Sequence, residues 1–138
     1  MHAIRFTVQT AYGLYASILF IVMVTITALM CLVVPGLQRR RGVARAMSRA
    51  WLQFIGMPVK VIAEENLPDG QCVVVSNHAS YLDGIVFTAA LPARFGFVIK
   101  REMANVPLFG AFLTRLGAMF VERYEAKKSA ADARRVLR

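Results

Sequence analysis

The sequence predicts an incomplete α/β domain behind two N-terminal helices, one transmembrane and one basic and amphipathic. Three observations predict it. Residues 6–38 hold no charged side chain, a run of 33 positions. Five arginines then follow (Arg39, Arg40, Arg41, Arg45 and Arg49), with no acid before Glu64. Beyond Pro58, short β-branched runs alternate with helical stretches punctuated by Pro and Gly, the pattern of a sheet with crossover helices.

Composition excludes several classes. The chain has 138 residues, of which 57% are hydrophobic and 18% charged. A disordered chain needs low hydrophobicity, and an ordinary soluble domain is about 45–50% apolar with about 25% charged residues. Cys31 and Cys72 are too few for a disulfide scaffold. The net charge of +9 comes from 17 Lys+Arg against 8 Asp+Glu. A chain both apolar and basic reads as a membrane protein with a basic cytoplasmic side.

The first element is the span. Residues 11–34 read AYGLYASILFIVMVTITALMCLVV. At about 1.5 Å per residue they reach roughly 36 Å, enough for a ~30 Å hydrocarbon layer with some tilt. Tyr12 and Tyr15 mark one interface, and Pro35-Gly36 stops the helix at the other end. The run is too long for a signal-peptide core. Arg5 is the one basic residue before the span and five follow it. Positive charge stays inside, so the N-terminus is placed outside and everything after Pro35 in the cytoplasm. This gives a single-pass protein, in the inner membrane if the source is bacterial.

Residues 39–55 are the second element. Arg41, Arg45 and Arg49 share one helical face, and Val43, Met47, Ala50, Trp51 and Phe54 share the other. That pattern reads as an interfacial helix on anionic head groups; the plainer alternative is an ordinary amphipathic helix packed on the domain, and the two are compatible if the helix touches both.

The domain follows in order. Residues 59–64 (VKVIAE) predict a strand and residues 71–76 (QCVVVS) a buried strand. Residues 81–91 predict a helix ended by Pro92, and 95–100 a strand. Residues 107–116 predict a helix opened by Pro107 and closed by Gly117. Residues 118–122 predict a strand and 125–138 a polar helix. About 80 residues is small for an open α/β fold, so the sheet is expected to be unfinished. The boundaries are 1–37 for the anchor, 38–57 for the basic helix and 58–138 for the partial domain.

The chemistry concentrates between the buried strand and the next helix, in Asn77-His78-Ala79-Ser80-Tyr81-Leu82-Asp83. Ligand sites of open sheets lie at such strand carboxyl ends. Ser80 and Asp83 fit a capping box that opens the helix. Residues five apart on a helix point about 140° apart. His78 therefore meets Asp83 only if His78 is in the loop and Asp83 in the first turn. A carboxylate on one imidazole nitrogen fixes the tautomer and leaves the other nitrogen as a general base. Ser80 as a nucleophile is disfavoured, because the cap uses its hydroxyl and no G-x-S-x-G elbow surrounds it. No metal site is expected: His2, the other histidine, is remote in sequence and both cysteines are isolated.

These residues resemble the first signature, N-H-x-S-x-x-D, of the 1-acylglycerol-3-phosphate O-acyltransferase (PlsC-like) family of glycerolipid acyltransferases. Lys100-Arg101-Glu102 with Val106-Pro107-Leu108-Phe109-Gly110 resembles that family's K-x-E…(I/V)-P-x-x-G stretch. Gly117-Ala118-Met119-Phe120-Val121-Glu122-Arg123 resembles its second signature, G-x-x-F-(I/V)-(D/E)-R. The resemblance runs over residues 77–123, in order and at family-like spacing.

The resemblance implies an acyltransferase domain at 58–138 and a membrane-bound lysophospholipid acyltransferase. The donor would be acyl-CoA or acyl carrier protein and the acceptor 1-acylglycerol-3-phosphate, giving phosphatidate, with no cofactor. It makes His78 and Asp83 the catalytic pair, His78 the general base and Asp83 its orienting acid. Arg123, with Lys100 or Arg101 and Gly117, would bind the acceptor, the arginine fork suiting phosphate; Asn77 and Ser80 would shape the loop. A third signature like F-P-E-G-T-R is absent from the 138 residues. The chain is therefore expected to be the N-terminal portion of such an enzyme, inactive alone. The alternatives are the same fold acylating another lysolipid, such as lyso-ornithine lipid, and a truncated membrane-surface module. Partners are the donor, the acceptor and membrane lipids. Nucleic acid is not expected, because positive-inside retention explains the arginines.

Overall fold

A computed structural model describes residues 2–80 and 82–122. Helix α1 runs His2–Val33 and α2 runs Leu37–Phe54. Pro35 separates them, because it has no N–H to continue the ladder and restricts the residue before it. Among the described residues one helix is long and apolar enough to cross a membrane, over Ile4–Val33. Two compact units follow from the contacts: Met1–Thr25 with Ala44–Leu91, and Ile26–Val43 with Pro92–Arg138.

In the first unit, α1 and α2 pack antiparallel. Trp51, Leu52, Ile55 and Ala89 form a buried cluster, and Ala16, Leu19, Phe20 and Met23 of α1 pack against it with Val59, Ile85 and Val86. The α1 contacts recur at three- and four-residue steps, so they form one stripe of the helix. Trp51 sits edge-on to Phe20, with ring centroids 5.2 Å apart, and its indole N–H donates to the Ala16 carbonyl at 3.2 Å. Tyr12 and Tyr15, expected at a membrane interface from their positions, are tied to the protein. Their hydroxyls donate to the Ile55 and Phe54 carbonyls at 2.7 and 3.1 Å, at the end of α2. Those carbonyls have no partner within the helix.

The strands expected at 59–64 and 71–76 are absent. The first stretch is irregular and leads into a 3₁₀ turn at Glu64–Asn66. The second is non-helical chain outside any ladder, with Val73 75% and Val75 88% exposed. β-branched residues favour extended backbone, but a strand exists only where a neighbour pairs with it. Helix α3 spans Asp83–Ala90, inside the predicted 81–91. Arg45 of α2 closes its far end, donating to the Ala89 and Ala90 carbonyls at 3.4 and 3.1 Å and to Glu64 Oε1 at 3.1 Å.

The second unit holds the one sheet among the described residues. β1 (Val98–Lys100) and β2 (Met119–Val121) are parallel, with Val98, Ile99 and Lys100 opposite Met119, Phe120 and Val121. Parallel neighbours need a crossover, supplied by a 3₁₀ segment at Arg101–Asn105 and by α4 (Phe109–Arg115). Gly117 ends α4 at φ +70, a conformation that suits glycine. Gly117 N–H reaches Thr114 O at 2.9 Å and Ala118 N–H reaches Leu113 O at 3.0 Å, the paired bonds of a Schellman turn. Helices outweigh strands throughout. The predicted α/β character is thus confined to this strand–helix–strand unit, and the predicted helix at 125–138 lies outside the described residues.

Arginines close helix ends in this unit too. Arg40 donates from Nε to Val34 O at 2.9 Å, just past α1. Arg115 donates to the Cys31 and Leu32 carbonyls of α1 at 3.0 and 3.4 Å. Cations suit helix C-termini, where carbonyl dipoles accumulate. Arg41 and Arg45, assigned from the sequence to a basic face for head groups, are instead spent on backbone carbonyls. The alternative of an amphipathic helix packed on the domain accounts for them.

Candidate active site

The site forms where the chain from 71 to 80 enters α3. His78 lies in the loop and Asp83 is the first residue of the helix. Their side chains meet, with His78 Nδ1 2.8 Å from Asp83 Oδ2. The same oxygen accepts the backbone N–H groups of Ala79 and Ser80, each at 2.8 Å. Three donors thus converge on one carboxylate oxygen.

The capping box forms in part. Asp83 reaches back to Ser80 N–H as expected. The Ser80 hydroxyl, however, accepts from Leu82 N–H at 3.2 Å and not from the Asp83 amide. The helix starts at Asp83 and not at 81, so the serine closes a turn two residues long.

The electrostatics follow from the donors. The hydrogen bond from His78, then those from Ser80 and Ala79, hold the Asp83 carboxyl below its ordinary 3.8. An ionised carboxylate only accepts hydrogen bonds. Nδ1 therefore carries the proton facing it, and the neutral ring keeps its lone pair on Nε2. The His78 side chain is 60% exposed and that of Asp83 27%, so the imidazole is open to an incoming molecule while its orienting acid is half covered. Asn77, exposed, precedes the pair.

The other predicted residues belong to the second unit. Lys100 is the last residue of β1 and is exposed. Arg101 follows it and lies 4.0 Å from Glu122, just past β2. Gly117 shapes the turn before β2. Arg123 lies outside the described residues. The sequence reading missed Glu122 as the partner of Arg101, although the V-E-R triplet carried the signal. It also missed Arg41, whose three nitrogens each donate to a carbonyl: Nε to Leu116 at 2.9 Å, Nη1 to Arg94 at 3.0 Å and Nη2 to Gly117 at 3.2 Å. Burial lowers the pKa of this guanidinium from its ordinary value. Among the described residues no group of three or more His, Cys, Asp or Glu is placed to hold a metal ion.

The chain belongs to the acyltransferase family: the family model matches residues 58–138, which hold both the loop histidine and the parallel strand pair. The relatives it resembles carry a more particular name. It is 28% identical over 86 residues to the 1-acyl-sn-glycerol-3-phosphate acyltransferase of Saccharomyces cerevisiae, covering 62% of this chain and 28% of that protein. Proteins of the same name give 29% over 90 residues in Helicobacter pylori (64% and 38%) and 25% over 88 residues in Borreliella burgdorferi (63% and 35%). The chain spans about a third of the length of these curated relatives. No solved structure matches it.

Proposed function

We propose that the protein carrying this chain is a membrane-bound acyltransferase that acylates the free hydroxyl of 1-acylglycerol-3-phosphate to give phosphatidate, using acyl-CoA or acyl carrier protein as donor. The observation that carries this reading is the His78–Asp83 contact at 2.8 Å in an open loop. His78 Nε2 takes the acceptor's hydroxyl proton as the oxygen attacks the thioester carbonyl. A C–O bond forms, the C–S bond breaks, and the thiolate leaves with the proton that His78 returns. Asp83 stabilises the imidazolium in between. Lys100, Arg101 and Arg123 are the candidate grips for the acceptor phosphate, with the first two at the carboxyl end of β1, where open sheets bind ligands.

Membrane attachment belongs to the same reading. One stripe of α1 packs on protein, while Leu14, Ile18, Ile21 and Val22 are exposed large apolar side chains suited to lipid. The charge asymmetry supports a cytoplasmic side for the residues after Pro35. A membrane-impermeant thiol reagent applied to sealed vesicles tests the side through Cys72.

The decisive assay is transfer of labelled acyl groups to lysophosphatidate by the whole protein in membranes. His78→Ala should lower the rate about 10²–10⁴-fold, the usual contribution of a general base; an unchanged rate would remove His78 from the chemistry. A lysolipid panel including lyso-ornithine lipid identifies the acceptor, and activity on the phosphate-free lipid alone would overturn the phosphate assignment.

A further inference from the structure

We propose that Arg41 is a positioning residue for acceptor binding: it locks together the starts of the two parallel strands whose far ends carry the candidate phosphate grips. The inference rests on the acyltransfer reading. Its evidence is a slot built for one guanidinium. All three nitrogens of Arg41 donate to backbone carbonyls, at Arg94, Leu116 and Gly117. Two glycines leave room for it. A Cβ at Gly96 would stand 2.7 Å from Arg41 Nη2, and one at Gly117 would stand 2.8 Å from the same atom.

The clamped carbonyls are placed to matter. Arg94 lies four residues before Val98 of β1, and Gly117 two before Met119 of β2. Met119 N–H then bonds Phe97 O at 2.9 Å, which opens the ladder. One planar fork thus fixes the offset between two strands that share only three paired residues each. At about 3.3 Å per residue, the strand exits lie roughly 10 Å further on. There stand Lys100 and Arg101, Arg101 within 4.0 Å of Glu122, and Arg123 is next in sequence. Arg41 is committed to carbonyls, so it sets the spacing of these residues without touching the acceptor. A lysine can replace it only in part, because a single ammonium lacks the planar fork.

The test is steady-state kinetics on the whole protein in membranes, with lysophosphatidate and acyl donor varied separately. Arg41→Met should raise the acceptor KM at least tenfold while kcat and the donor KM stay within twofold. Arg41→Lys should be intermediate. Gly96→Ala crowds only the end of the Arg41 side chain, and should raise the acceptor KM about threefold in protein that folds normally. Amides of Met119 and Val121 should exchange hydrogen faster in each variant. An acceptor KM at the wild-type value in folded Arg41→Met or in Gly96→Ala overturns the proposal, and so does a joint shift of both KM values and kcat. His78→Ala serves as control. If it abolishes transfer while the Arg41 variants leave the acceptor KM alone, only this inference fails. If it leaves the rate unchanged, the acyltransfer reading itself fails.

Discussion

His78 Nδ1 stands 2.8 Å from Asp83 Oδ2, on an oxygen that also takes the Ala79 and Ser80 N–H groups at 2.8 Å each. The carboxylate is therefore the hub of the loop as well as the partner of the imidazole. It holds the ring itself and the two backbone amides that follow the ring's attachment. Orientation of His78 and ordering of Ala79 and Ser80 are one event, and substitutions at His78 or Asp83 read out on both.

Asp83→Asn keeps the shape and removes the charge. An amide oxygen is a weaker acceptor for three N–H groups, and its NH₂ face can select the wrong imidazole tautomer. Acyl transfer should fall about 10²-fold or more. Because the two residues act as a unit, the His78→Ala/Asp83→Asn double variant should be no slower than His78→Ala alone. Single-turnover rates with labelled donor check both; additive losses would show that Asp83 works independently of His78.

The depressed Asp83 carboxyl also sets a pH dependence. Its value in the folded loop is below the ordinary 3.8, so the charged form is the one the fold prefers. The stabilisation is fully present above the ordinary value and is lost as pH falls through the lower folded value. Ala79 and Ser80 amides should therefore keep constant protection from pH 7 down to about 4 and lose it below that. Hydrogen exchange followed by mass spectrometry reads this directly. Asp83→Asn should show low protection across the range with no acid step.

Much of this was legible in the sequence, for identifiable reasons. The His78–Asp83 meeting follows from helix geometry once a turn is placed between them. Pro35, Pro92 and Gly117 mark element ends through local backbone constraints, and α1, α3, α4, β1 and β2 fall where those constraints put them. What failed was non-local. Residues 71–76 carry the composition of a strand but no composition supplies a partner. Arg41 looks like a lipid-facing arginine on a helical wheel, and its true partners lie 53, 75 and 76 residues away. Trp51 fits an interfacial anchor equally well until Phe20 and Ala16 cover it.

Trp51 is expected to be the most costly single truncation in the first unit. It is 5% exposed and joins α1 to the cluster of Leu52, Ile55 and Ala89. Trp51→Ala should destabilise by about 3–5 kcal/mol, the range for large aromatic deletions in a core. Trp51→Phe keeps much of the packing but loses the N–H to Ala16 O, and should cost about 1 kcal/mol more than its volume change. Thermal midpoints in detergent rank them. An unperturbed midpoint for Trp51→Ala would show that the α1–α2 packing contributes little.

Gly117 gives the sharpest stability test in the second unit, because two independent costs meet there. A side chain at φ +70 is strained in itself, by roughly 1–2 kcal/mol. Its Cβ would also come within 2.8 Å of Arg41 Nη2 and 2.9 Å of Leu37 Cδ1, so α2 or the guanidinium must shift. Gly117→Ala should therefore destabilise by more than the dihedral strain alone, about 2–3 kcal/mol. Asparagine tolerates the left-handed region better than alanine but fills the same space. Comparing Gly117→Asn with Gly117→Ala by thermal denaturation separates the terms. If asparagine restores most of the loss, the backbone angle dominates. If both variants lose equally, the contact with Arg41 and Leu37 is what fixes glycine at this position.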